Sequence, residues 1–315
     1  MRRRIFTEST LIIAVFIATA ISISAQTRKT TTANSTKTTS SRSITVVTEP
    51  KAFVWLDEVR RGTTDANGSL TIAKVASGKR SLRVRAVGFT EKTQPISPTD
   101  KGEIKVSLTE TTDEAELAFQ QAEVLRESGL SANKPKAIEL YKKAFELRPN
   151  FPQARIGLAR MLETTDVDEA LAQIAAARKS RPNYAEASTV EGRIYRENSD
   201  VANGIKSFKR AIREASNFQP EAHTGLALAY QDQENFTGAI TEFKIALSQL
   251  ADTEPVLYQL LGDAYAKANN KKDAIASYEK FLTLAPQNRL ASAVRSIIEQ
   301  LKTGSDSGFV DLMPQ

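Results

Sequence analysis

Few residue types in this 315-residue chain could do chemistry. There is no Cys and one His, which excludes a disulfide framework, a thiolate metal site, a cysteine nucleophile, an acylated-cysteine anchor and a His-rich metal centre. The single histidine, His223, stands near the start of an Ala- and Leu-rich segment. A catalytic role would need an activating partner, and no nucleophile motif surrounds any Ser or Thr; His223 reads as a packing residue. Carboxylates are plentiful but scattered, so no acid pair of the glycosidase kind stands out, and there is no phosphate-cradling glycine loop. The expectation is a non-catalytic chain with no metal and no cofactor. Binding groups remain. Lys79, Arg80, Arg83 and Arg85 lie on one alternating segment, where exposed residues two apart share a strand face. Such a face suits an anionic wall polymer or lipid surface, and an ordinary solvated strand face is the competing reading. Trp55, in the run FVWL, is either a stacking platform for a sugar ring or, as its apolar neighbours favour, a core residue.

Residues 1–25 read as a secretory leader: Arg2, Arg3 and Arg4, the uncharged run LIIAVFIATAISI from Leu11 to Ile23, then Ile23 and Ala25 at the positions a signal peptidase reads. Cleavage after Ala25 is expected. An uncleaved inner-membrane anchor is the alternative, since the apolar stretch through Ala25 is 15 residues against the ~20 needed to span a bilayer. Residues 26–42 (QTRKTTTANSTKTTSSR) form a Ser- and Thr-rich linker, and residues 304–315 a tail with a short apolar run.

Residues 43–110 carry short apolar runs at Ile44 to Val47, Ala52 to Leu56, Leu70 to Val75, Leu82 to Val87 and Ile104 to Leu108, which predict five strands of a small sandwich. The stretches 65–68 (DANG) and 77–79 (SGK) are expected to be hairpin turns. Leu82, Val84 and Ala86 alternate with Ser81, Arg83 and Arg85, as on a strand with one buried and one wet face. Pro50-Lys51-Ala52 before the FVWLD strand, the turn at Gly62, Thr63 and Thr64, Gly78 before RSLRVRA, and the closing Gly88-Phe89 resemble a PEGA domain. The stretch TTDANGSLTIAKVASGKRSLRVRAVGF is equally similar to a carboxypeptidase regulatory-like sandwich. Either resemblance implies a non-catalytic, extracytoplasmic β module.

From 113 to 303 the texture turns to Ala, Leu, Glu and Lys, and one signature recurs five times, centred on Ala137, Ala170, Gly204, Ala239 and Ala274 at spacings of 33, 34, 35 and 35. Four residues after each centre stands a bulky residue (Tyr141, Ile174, Phe208, Phe243, Tyr278), and three further on Ala144, Ala177, Ala211, Ala246 or Phe281. These offsets share one helical face. A partner helix upstream repeats the small-then-bulky theme, as in Ala122 with Leu125 and Gly262 with Tyr265. Each unit is therefore an antiparallel helix pair, punctuated by Pro149, Pro182, Pro220, Pro255 and Pro286. The pattern, clearest in YQLLGDAYAKANNKKDAIASYEKFLTLAP, resembles the tetratricopeptide repeat. The fold class expected is thus a small all-β sandwich followed by an all-α solenoid of about five helix pairs and a capping helix over Arg289 to Leu301.

That resemblance implies a concave groove lined by the first helix of each pair, able to hold a partner protein or peptide. Its groove positions fall on Phe119, Glu123, Arg126, Ile156, Arg160, Arg193, Arg196, Thr224, Gln231, Asp263 and Lys267. Arg160, Arg193 and Arg196 cluster in adjacent units and could clamp a carboxylate by bidentate hydrogen bonds, or be ordinary solvated charges. The asparagine-and-lysine clamp of chaperone-binding relatives is missing. The function expected is an exported, periplasmic or cell-envelope interaction scaffold; the alternative is an envelope structural protein whose β module binds anionic wall polymer or membrane surface, with the array as spacer. The formal charge of +6 divides unevenly, with 18 Lys and Arg against nine Asp and Glu in residues 1–112 and 25 against 28 beyond. A generally basic nucleic-acid binder is not expected.

Overall fold

The computed structural model describes residues 41–303 apart from 58, 77, 216, 217 and 251. The expected leader, all of the linker but its last two residues, and the tail lie outside the described residues.

The β module has two facing sheets. One, in the order β4-β1-β8, holds β1 (Ser41–Val47), β4 (Ser69–Ala76) and β8 (Gly102–Lys105), with β1 and β8 parallel. The other, in the order β3-β2-β5-β7, holds β2 (Phe53–Leu56), β3 (Val59–Thr63), β5 (Arg80–Arg85) and β7 (Lys92–Ile96). A small pair, β6 (Phe89–Thr90) with β9 (Thr109–Glu110), closes one end. Ile44, Val46, Ile72 and Val75 from the first sheet meet Val54, Leu56, Leu82, Val84 and Ile96 from the second in one apolar cluster, so strand alternation delivers a sandwich core.

Every expected strand is present, but two expectations about connections fail. Strand β4 lies in the other sheet from β3 before it and β5 after it, so neither of these connections joins a hairpin of paired strands. Asp65 still builds a tight turn, its Oδ1 accepting from the Asn67 and Ser69 N–H groups at 2.9 and 2.8 Å. Gly68 follows at φ +75°, where an added Cβ would lie 1.9 Å from the Thr48 carbonyl oxygen, so only glycine fits. The Gly62–Thr64 turn is instead the end of β3, which pairs with β2.

Eleven α-helices follow among the described residues: α1 (Glu114–Glu127), α2 (Lys134–Leu147), α3 (Pro152–Leu162), α4 (Val167–Ser180), α5 (Ala185–Glu197), α6 (Val201–Glu214), α7 (Pro220–Asp232), α8 (Phe236–Leu250), α9 (Val256–Lys267), α10 (Lys271–Leu284) and the cap α11 (Ala291–Thr303). They form five antiparallel pairs and a closing helix. A second periodicity sets the turns. Asp166, Asp200, Asn235 and Asn270 each accept from the N–H three residues on and so cap the second helix of their pair. In the last three turns the cap's own N–H reaches a tyrosine carbonyl (Tyr195, Tyr230, Tyr265) at 2.8 Å, past a residue at positive φ (Ser199, Glu234, Asn269). The small residues act as expected. A Cβ on Gly192 would fall 2.7 Å from the Phe208 ring, and one on Gly262 2.5 Å from Tyr278, so the bulky residue of each of these units is keyed into a space that only glycine leaves; Gly157, outside the expected series, does the same for Tyr141 of the preceding pair, at 2.2 Å.

Candidate functional site

The outer face of the β3-β2-β5-β7 sheet is built of stacked cations and rings. In register, Phe53 faces Arg85 and Trp55 faces Arg83 across β2 and β5. The Arg83 guanidinium lies 4.4 Å from the Trp55 ring centre and that of Arg85 5.2 Å, while Arg60 covers Phe53 at 4.5 Å. Trp55 is buried, at 8% exposure, but it lies outside the sandwich core and within this stack. Apolar ring faces shed water while the guanidiniums keep polar edges for partners.

Those partners lie on the array. The expected wet face of β5 is turned inward: Arg85 is 5% exposed, paired with Glu91 at 2.7 Å and Glu123 of α1 at 3.3 Å, and stacked 4.8 Å above Phe119. Arg80 pairs with Asp57 at 2.9 Å, whereas Lys79 is exposed. The patch of Lys79, Arg80, Arg83 and Arg85 is therefore not one solvated surface, because three of its members line a cleft of about 1450 Å³ between the sheet and the first helices of the repeats.

Glu123 anchors the near end of that cleft. Burial pushes its carboxyl up, but the Arg126 charge and hydrogen bonds, then Arg85 and the Tyr141 hydroxyl, outweigh burial and hold it at about 2. Arg126 donates to both of its oxygens at 3.1 Å, and Tyr141 donates at 2.5 Å. Burial and the adjacent Glu123 charge push the Tyr141 hydroxyl up, so it stays a donor. One turn back on α1, Gln120 accepts from the Gly88 N–H at 2.9 Å and donates to the Phe89 carbonyl at 2.7 Å. Arg60 meets Glu127 at 2.5 Å.

Along the cleft floor the groove arginines pair from unit to unit. Arg160 of α3 reaches Glu186 of α5 at 2.8 Å. Arg193 of α5 reaches back to Glu163 at 2.8 Å and forward to Glu221 at 3.6 Å, and Arg196 grips Asp232 with two nitrogens at 2.7 and 3.2 Å. The expected carboxylate clamp is thus already engaged by the chain's own acids. Burial raises the Glu186 carboxyl, yet Arg160 and then Arg83 of the β module bring it below the usual range, so the field of the sheet reaches mid-groove.

Of the eleven expected groove residues, Phe119, Glu123, Arg126, Arg160, Arg193, Arg196 and Thr224 line the cleft. The other four do not line it. Ile156 is fully buried in the apolar cluster of the first units, Gln231 is buried, and Lys267 is exposed. Asp263 is buried as the acceptor of the Tyr278 hydroxyl at 2.6 Å. His223 is buried with Nδ1 2.6 Å from Glu242, a packed residue with a polar partner. Sequence reasoning missed the acids between the arginines, Glu127, Glu163, Glu186, Glu221 and Glu254. For Glu127 and Glu163 the signal was an acid within one turn of a groove arginine, Arg126 and Arg160 respectively; Glu186, Glu221 and Glu254 have no groove arginine that near in sequence.

At the far end β3 touches the last units. Val59 packs against the apolar cluster that includes Leu250, Leu257 and Leu261, and Arg61 Nη1 donates to Thr253 Oγ1 at 3.2 Å.

Comparison with known proteins bears on the array. A tetratricopeptide repeat family model matches residues 162–220 and 189–255, and a second model of that repeat matches 256–288. No curated protein matches the chain. Among solved structures, TTC0263, a thermophilic tetratricopeptide-repeat protein of Thermus thermophilus, is 20% identical, covers 60% of this chain and 99% of its own, and superposes with a TM-score of 0.50. PilW, a type IV pilus biogenesis factor, is 14% identical over 63% of this chain and 95% of its own, at 0.52. Pseudomonas aeruginosa pilF is 18% identical over 62% and 93%, at 0.50. At these identities the likeness is one of fold. Residues 162–288 are tetratricopeptide repeats, set in a helical array with the fold of tetratricopeptide-repeat proteins.

Proposed function

We propose that this chain is an exported, non-catalytic scaffold whose array groove binds a partner protein or peptide. The observation that carries the reading is the cleft itself, about 1450 Å³, with a concave floor supplied by five successive first helices and their connecting loops. Its lining alternates carboxylates, guanidiniums and aromatic rings, a surface suited to a polypeptide's mixed chemistry. Repeat arrays present such extended surfaces because each unit adds one helix to the same face. Export rests on the leader-like residues 1–25, and the PEGA-like or carboxypeptidase regulatory-like character of residues 43–110 agrees with a periplasmic or envelope setting. Among the described residues no helix is long and apolar enough to cross a membrane. The rival reading, a wall-polymer binder using the β5 arginines, fares less well because Arg83 and Arg85 are engaged with Trp55, Glu91 and the array.

Site-specific photocrosslinking in the native envelope tests this. A photoreactive residue at Glu221, on the cleft floor, is expected to yield a discrete protein adduct that a probe at Lys206, on the outer surface of α6, does not. Equal adducts from both positions, or retention of the full chain by purified wall polymer with no groove adduct, would reverse the reading.

A further inference from the structure

The concave face of the array is covered by the chain's own sheet, and the two ends of that cover are built differently. At the near end the attachment is dense and buried: Gln120 bonded to two backbone groups of the β module, Arg85 wedged between Glu123 and Phe119, and Arg60 on Glu127. This end is also where the chain passes directly from β9 into α1. At the far end, among the described residues, stand a hydrogen bond from Arg61 to the exposed Thr253, the attraction of Glu254 for the Arg61 charge, and the half-buried Val59 on the apolar cluster of the last units. Between the ends lies open cleft. Mechanically, the near end is a hinge and the far end a latch.

Charge explains why the sheet sits there. Among the residues lining the cleft, the β module contributes four arginines against two acids, and the array five arginines against eight acids. The groove therefore keeps a surplus of carboxylates even after its internal pairs are made, and the sheet supplies guanidiniums two residues apart along β5. Arg85 meets Glu123 directly and Arg83 acts on Glu186 through its field. An acidic segment placed in the same groove would meet like charge, which disfavours it strongly in a confined cleft.

We propose that the concave face of the array is a docking surface for an arginine-bearing extended segment of a partner protein, and that the β module is its resident competitor, released at Val59 and Arg61. The proposal rests on the groove function argued above and adds the partner's chemistry and the step that admits it. The occupant already present indicates what the groove recognises: an extended strand with arginines on alternate residues, Arg85 meeting Glu123 and the Phe119 ring and Arg83 acting on Glu186. A partner that repeats this face takes the mid-groove acids Glu186 and Glu221 once the latch opens, while the near-end contacts of Arg85 with Glu123 and Arg60 with Glu127 keep the module tethered.

The test uses the full chain and a labelled peptide with the sequence of residues 79–87, KRSLRVRAV, followed by fluorescence anisotropy. Opening the latch with Val59→Ser and Arg61→Ala is expected to tighten peptide binding by about tenfold or more, because a closed population reduces apparent affinity in proportion. The same peptide with glutamate for arginine should not bind, and Glu186→Gln with Glu221→Gln in the open-latch background should weaken binding. Since the chain has no Cys, Arg61→Cys with Thr253→Cys allows a short bismaleimide bridge to hold the latch shut in a protein whose fold is otherwise intact. Bridging should abolish peptide binding that the unbridged variant shows. Binding unaffected by opening or bridging the latch, or preference for the glutamate peptide or for polyphosphate, overturns the proposal. Groove photocrosslinks that are equal in wild-type and open-latch chains would leave the scaffold reading standing and remove the competitor. Peptide binding gated by the latch without any cellular adduct would do the reverse.

Discussion

Glu123 is a carboxylate with almost no water, held by two arginines and a tyrosine, and it joins the two modules. Replacing it with Gln leaves Arg85 only Glu91 and Arg126 only Glu127 as carboxylate partners, and breaking one side of a buried pair typically costs ~3–5 kcal/mol. We expect Glu123→Gln to lower unfolding free energy by about that amount at pH 7, read from urea titrations. The pH dependence has a definite sign. The folded carboxyl sits at about 2 against an ordinary 4.5, so its stabilisation is complete above pH 4.5 and disappears as pH falls towards 2. The gap between wild type and variant should close over that window; a constant gap would mean that Glu123 is not ionised in the folded chain. This pairing was partly legible. Where the bulky residue of a unit is Tyr, in the first and last, the residue after the upstream small one is an acid, Glu123 after Ala122 and Asp263 after Gly262. Where it is Ile174, Phe208 or Phe243, that position holds Arg160, Arg193 or Leu228. A hydroxyl needs an acceptor when buried, so Glu123 and Asp263 belonged to the tyrosines before they belonged to the groove.

At the scale of elements, the repeat signature specified the helix pairs because small and bulky residues at fixed offsets admit one packing. Gly157 shows how tight that packing is. Its missing Cβ is replaced by the ring of Tyr141, which is fully buried and fixed through its hydroxyl to Glu123. Gly157→Ala would gain helix propensity at an interior position, yet the overlap should dominate and cost ~1–3 kcal/mol. A drop in the urea midpoint at unchanged slope would bear this out, and a gain in stability would show that the ring can yield. Strands β3 and β7 were not legible. They are the edges of their sheet, with the sequences VRRGT and KTQPI, and neither alternates apolar with polar residues. In β3 the reason lies in what its side chains meet, since Arg60 serves the near end of the cleft and Arg61 the far end. A strand that faces another module through charges looks like a loop to any reading that assumes water on that side. The cap series Asp166, Asp200, Asn235 and Asn270 stands at spacings of 34, 35 and 35 and was equally readable, but the apolar stripe is the louder of the two periodicities and masks it.

Across the whole molecule, the surplus of positive charge in residues 1–112 marked a real boundary, but its destination was hidden. Arginines that read as suited to an anionic envelope surface face inward, because the acids that receive them, Asp57 and Glu91 in the module and Glu123 on α1, stand on separate elements that no local window shows together. Gln120 tests how far the modules act as one body. Gln120→Ala leaves the Gly88 N–H and the Phe89 carbonyl without their partner, a loss of ~1–3 kcal/mol. Amide exchange in β5 should then speed up more than exchange in α10, and equal changes in both would argue that the modules unfold only together. The far latch has a further consequence, in the order of folding. Arg61 and Thr253 are 192 residues apart in sequence, and such long-range closures form late because their entropy is recovered only at the end. On a ribosome making ~5–20 residues per second, the β module is complete well before α9 exists to receive Val59. The repeats can propagate from α1 without waiting for that contact. For every newly made chain there is thus an interval in which the array is folding and its groove has no roof.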